Sequence, residues 1–173
     1  MASKRAESLK LKNDAAWAEL TRQLHGMEPH LERSDAPGEW TTRQVLCHLL
    51  FEPGWTPEAT LKSFSERELP LIDVQPGKTT VNDERRRMTL RQLLDALDAQ
   101  RKAVFVYLEG VSDDDLERRK AKIPLFKQFM GTDEIPLGRF VGAMYEFHWK
   151  DHAGQLGKIR KAAGLPEPMS HPA

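Results

Sequence analysis

His48 stands alone in an apolar stretch, and His148 and His152 follow much later as His-Trp-Lys-Asp-His. Positions four apart on a helix lie one above the other, with Cβ atoms about 5–6 Å apart, so His148 and His152 can grip one ion. A third imidazole from another helix would complete a three-nitrogen site with one open position, which is how catalytic zinc is usually held. Three neutral imidazoles leave the cation's full charge on that remaining position. A water there is acidified from about 15.7 toward 7, and a thiol there loses its proton outright. The first chemistry is hydrolysis; the second is transfer of a thiol to a small electrophile. Spacing by itself does not show that the three rings converge, and an inward histidine can equally be a hydrogen-bonded core residue.

Either reaction is helped by a general base. Glu52 follows His48 by one helical turn, and Asp151 follows His148 by three residues, so both are candidates. The alternative for each is a solvated carboxylate, or one that orients a histidine from its far ring nitrogen. Gln155 shares the face of His148 and His152 and is expected as a polar liner. Cys47 lies about 100° around the helix from His48 and reads as a buried structural thiol. His25 and His30 flank a helix break and read as surface or capping groups. Ser170-His171 is no catalytic pair, because nothing there positions it. Trp55, Phe126 and Phe129 are expected to seal the ends of the fold, with a pocket for an apolar substrate as the alternative.

These side chains need helices to hold them. Leu20, Leu24, Met27 and Leu31 repeat at helical spacing and predict a first helix from about residue 6 to His25–Gly26. Thr41-x-x-Gln44 is a capping box, with Trp40 and Val45 placed as a hydrophobic staple. The second helix then runs past His48 to Glu52, where Pro53-Gly54 interrupts it. Thr56-Pro57-Glu58 restarts helix to about Glu68. Residues 69–87 read as a surface crossover loop. Thr89-x-x-Gln92 opens the third helix, whose stripe is Leu90, Leu94, Leu97, Val104 and Leu108, with Gly110 as its stop. Residues 111–136 form a second long connection with one turn at Ser112–Leu116, and a connection of that length is usually functional. The fourth helix runs from Leu137 to Ala163 and ends at Gly164-Leu165-Pro166. The expected fold is all-α: one four-helix-bundle domain over residues 1–165 with long crossover connections, and a flexible tail over 166–173.

Composition sets the outer limits. The 173 residues carry 26 Lys+Arg and 26 Asp+Glu, a formal net charge of zero, which argues against a nucleic-acid partner. No apolar run reaches the roughly 20 residues of a membrane span, and the N-terminus lacks the apolar core of a signal peptide. A single cysteine fits a reducing compartment, so a cytoplasmic protein is expected. A small-molecule substrate is the expected partner, and a homodimer is compatible with the composition.

Trp40-Thr41-x-x-x-Val45-Leu46-x-His48-Leu49, followed by His148-x-x-x-His152-x-x-Gln155-Leu156, resembles the DinB-like superfamily, the damage-inducible four-helix-bundle proteins. The resemblance runs over roughly residues 6–165 and takes in the Thr89 entry and Leu108-Glu109-Gly110-Val111-Ser112 with the acidic run after it. It implies that His48, His148 and His152 correspond to that family's metal-binding triad, with zinc or nickel bound. It also implies a metal-dependent hydrolase or a transferase using a low-molecular-weight thiol, or a non-catalytic stress-related binding protein. Pro53-Gly54 departs from the family's pattern, where a continuing helix is expected.

Overall fold

A computed structural model describes residues 2–169. Helix α1 (Lys4–Leu24) opens on Ser3, whose hydroxyl accepts from the Ala6 amide, and it buries Ala16, Leu20 and Leu24. Helix α2 (Thr42–Leu49) carries the capping box: Thr41 accepts from the Gln44 amide and Gln44 returns a bond to the Thr41 amide. The same reciprocal box, Thr89 with Gln92, starts α5 (Leu90–Leu108). Each box satisfies two backbone donors that the first helical turn leaves orphaned.

The fourth long helix has three pieces. An α segment, α8 (Leu137–Gly142), passes into a π-turn over Ala143–Phe147 and then into α9 (His148–Ala162). Gly164 closes it at φ 76, the left-handed conformation that suits glycine past a helix end. Helices α1, α2, α5 and α8–α9 pack as a four-helix bundle, with α1 along α9, α2 between α5 and α9, and Leu20, Leu46, Leu97 and Leu156 in its core. Among the described residues no helix is long and apolar enough to cross a membrane.

Several boundaries differ from the sequence reading. Helix α2 stops at Leu49 rather than Glu52, because Phe51 turns to φ 59 ahead of the proline. The Arg85 guanidinium holds that turn by donating to the carbonyls of Cys47, Phe51 and Thr80. Helix α3 (Pro57–Ser63) has proline in its first turn as expected but ends before Glu68, since Ser65 pairs instead with Lys120. The crossover over 69–87 is not wholly loop: Asn82 caps a short helix, α4 (Asp83–Arg87).

The second connection folds back on itself. After α6 (Asp113–Arg118), β1 (Lys120–Lys122) pairs antiparallel with β2 (Glu134–Pro136), and α7 (Lys127–Met130) lies between them. Ile123, Phe126 and Ile135 of this excursion are buried. Past Gly164, where a free tail is expected from residue 166, Arg160 donates to the Pro166 carbonyl and Arg22 to the Pro168 carbonyl, each at 2.8 Å. Ser170 and His171 lie outside the described residues.

Candidate metal centre

His48 projects from the last turn of α2, and His148 and His152 from the first turns of α9. Nε2 of His48 lies 2.9 Å from Nε2 of His148, which lies 3.1 Å from Nε2 of His152. The three ligand-capable nitrogens all fall within 4.8 Å of one another. Nitrogens sharing one tetrahedral zinc at about 2.0–2.1 Å stand about 3.4 Å apart, so the two pairs that include His148 need to spread by only a few tenths of an ångström.

The far ring nitrogens fix the tautomers. His48 Nδ1 lies 2.6 Å from the Lys78 carbonyl, and His152 Nδ1 lies 2.8 Å from Gln155 Oε1. Both partners only accept, so each Nδ1 carries the proton and each Nε2 presents a lone pair to the centre. His148 Nδ1 is buried without a formed hydrogen bond, although the Met144 carbonyl favours a proton on that ring. A proton on His148 Nε2 leaves Nδ1 bare and orphaned; a proton on Nδ1 leaves three lone pairs facing one another. A shared cation resolves this conflict, so the donor set fits a metal.

Electrostatics keep the rings in ligand form. Burial is the main cause that pushes His148 down to about 3, with His152 and His48 adding to it. Burial also lowers His48, against the Lys78 carbonyl, and lowers His152, against the Gln155 hydrogen bond. Neutral imidazoles are the form that binds metal.

Two positioning groups are invisible in the local sequence pattern. Trp40, expected as a staple, also packs on the histidines, with its ring stacked on His152 at 6.1 Å and 4.8 Å from the His48 ring. The Lys78 carbonyl comes from the crossover; the Pro76-Gly77 pair before it signals a turn but not its target. Thr80 in the same segment adopts φ 52, costly for a β-branched residue, and its hydroxyl donates to the Cys47 carbonyl.

His48 and His148 also line a cavity of about 600 Å³. Its wall includes Trp55, Phe126 and Phe129, so these aromatics line a pocket and do not merely seal the fold's ends. Both carboxylate candidates reach that wall, but Glu52 does so from a loop rather than from the turn of helix after His48. It is exposed and paired with Lys78 at 3.2 Å. Asp151 is exposed on α9, with no ion-pair partner among the described residues. Cys47 is fully buried outside the histidine cluster, and burial pushes its thiol up. His25 is exposed at the end of α1, and His30 is half-buried in a single 3-10 turn.

No curated protein matches the chain. It superposes on the solved structure of YfiT from Bacillus subtilis, described as "a probable metal-dependent hydrolase with an unusual four-helix bundle topology". The TM-score is 0.71 over 96% of this chain and 92% of that one, at 19% identity, a likeness that speaks for the fold. The pattern of the DinB superfamily matches residues 5–156, a span that includes all three histidines of the cluster. The chain belongs to the DinB superfamily.

Proposed function

We propose that the protein is a metal-dependent hydrolase of a small molecule, with His48, His148 and His152 holding one divalent cation, zinc or nickel. The observation that carries this reading is the convergence of three Nε2 atoms whose partners at Lys78 and Gln155 turn the lone pairs inward. When bound, the cation supplies Lewis-acid activation of water or of a substrate oxygen. His48 and His148 orient the reacting group toward the cavity they line. Asp151, on the same wall and free of an ion pair among the described residues, accepts the proton released from the attacking water. Glu52 is engaged by Lys78 and serves to set the charge of the rim.

The test is elemental analysis of protein purified without a nickel column, followed by turnover on a panel of esters and amides. Near-stoichiometric metal is expected, lost in both His48→Ala and His148→Ala, with hydrolysis abolished by chelation. Loss of metal from the His148 variant but not the His48 variant overturns the three-ligand arrangement. Turnover of thiol–electrophile pairs in place of hydrolysis assigns a low-molecular-weight thiol as co-substrate. Bound metal without turnover on either panel assigns sequestration.

A further inference from the structure

The cavity beside the histidines has a composition that restricts what can enter it. Phe51 and Trp55 in its wall pack against each other at 4.5 Å, and Phe126 and Phe140, which also line it, are buried. Phe129 and Phe147 also belong to the wall yet are 75% and 65% exposed, so the rim presents aromatic surface to solvent. Apolar side chains exposed at the edge of a concave site mark a place where apolar ligand surface is taken up.

The charges of the wall point the same way. Its carboxylates are Glu52, Asp73 and Asp151, and its cation is Lys78, already paired with Glu52. Among the described residues no arginine lines it, so no fork of donors is available for a phosphate or a second carboxylate. An anionic group placed away from the histidines would meet two uncompensated carboxylates and lose its hydration to aromatic rings, without a counter-charge.

We infer that the substrate carries its reacting polar group on an uncharged, largely apolar body, which lies along the aromatic cavity and bears no second anionic group. This rests on the metal reading above, because the histidine cluster is what places the reacting group at one side of the cavity. Specificity then resides in the length and neutrality of the body.

Three hydroxamates share a metal-binding head and differ in what the cavity must accept: acetohydroxamate, octanohydroxamate and suberic acid monohydroxamate. Affinities are measured by titration calorimetry on the zinc-loaded full chain. Each buried methylene is worth about a fourfold gain, so octanohydroxamate, with roughly half of its additional methylenes inside the cavity, is expected to bind on the order of 100-fold more tightly than acetohydroxamate. The terminal carboxylate of the suberic compound is expected to remove most of that gain. Leu125→Trp, which narrows the cavity from a segment outside the histidine-bearing helices, should reduce the chain-length gain while keeping acetohydroxamate affinity and zinc content. Phe129→Ser, at an exposed position that folding does not depend on, should reduce the gain. Zinc-dependent binding of acetohydroxamate with no gain from the chain overturns the inference and leaves the metal reading standing. Equal or tighter binding of the suberic compound also overturns it. A protein that takes up no zinc and no acetohydroxamate overturns both.

Discussion

The side-chain amide of Asn13 donates to the main-chain carbonyl of Tyr145 at 2.6 Å. Tyr145 lies inside the π-turn over Ala143–Phe147, and His148 is the next residue after that turn. A π-turn inserts one extra residue into the helical ladder and leaves carbonyl groups short of their usual partners. Asn13, fully buried on α1, supplies a donor where the insertion creates the need. The extra residue rotates everything after it by about 100° relative to a plain α-helix, so this contact helps set the direction in which His148 and His152 leave α9.

Asn13→Leu therefore leaves the Tyr145 carbonyl without that donor in a buried place. The expected loss is about 1–3 kcal/mol in urea unfolding, together with weaker zinc binding as the π-turn relaxes. Asn13→Asp should be worse, because a carboxylate cannot donate and would be buried against the carbonyl. A leucine variant that matches the parent in both midpoint and zinc affinity would show that another group holds the turn.

Gln155 acts on the metal through His152. Its Oε1 fixes the proton on His152 Nδ1, and the residue is only half-buried, so little of the fold depends on it. Removing such a partner typically costs about 10–100-fold in metal affinity. Gln155→Leu should show that loss in competition with a chromophoric chelator while its unfolding midpoint stays near the parent's. Gln155→Glu keeps an acceptor and should bind zinc at least as tightly.

The start of α2 is legible in the sequence, since Thr41 and Gln44 form a local motif and a local motif needs no tertiary partner. Its end is not. The Pro53-Gly54 signal lies beyond the true stop, which Arg85 imposes from a helix more than thirty residues away. The His148–His152 spacing is readable because both follow the π-turn, whereas the turn itself leaves no periodicity to count. Strands of three residues are too short to show alternation, so β1 and β2 stay hidden inside the connection. Trp40 and the Lys78 carbonyl reach the histidines only through tertiary packing, and for that reason the aromatic cavity could be raised from sequence only as the lesser alternative.

Acidity should destabilise the metal-free protein in a specific window. His148 is held down to about 3, chiefly by burial, and burial lowers His48 and His152 too. In the unfolded chain histidine titrates near 6.5, so below that pH the unfolded state binds more protons than the folded state. The stabilisation from these depressed groups is complete above about 6.5 and is lost as pH falls toward the folded value. The urea midpoint of metal-free protein is expected to drop between pH 7 and pH 5, above the range where most carboxylates titrate. His148→Phe should flatten that slope, and a parent midpoint independent of pH over this range would contradict neutral, buried rings.

Two glycines in the fourth helix should respond oppositely to a methyl group. Gly154 on α9 is exposed, and a Cβ there meets nothing within 4 Å. Glycine in a helix interior is worse than alanine by about 0.8–1.0 kcal/mol, so Gly154→Ala should raise stability by about that amount. It lies two residues past His152 and points away from the core, so zinc affinity should not change. Gly138 on α8 is buried, and a Cβ there would stand 3.3 Å from the Leu116 carbonyl oxygen and 3.4 Å from Leu116 Cβ. Leu116 is the buried residue of α6, so moving α6 away from α8 loosens the packing of that side chain. The same propensity gain is then offset by forcing α6 and α8 apart, and overpacking of this kind costs about 1–3 kcal/mol. Urea melts of the two variants side by side should place Gly154→Ala above the parent and Gly138→Ala at or below it. A Gly138 variant as stable as the Gly154 variant would mean that α6 is not held against α8 as tightly as the contact implies.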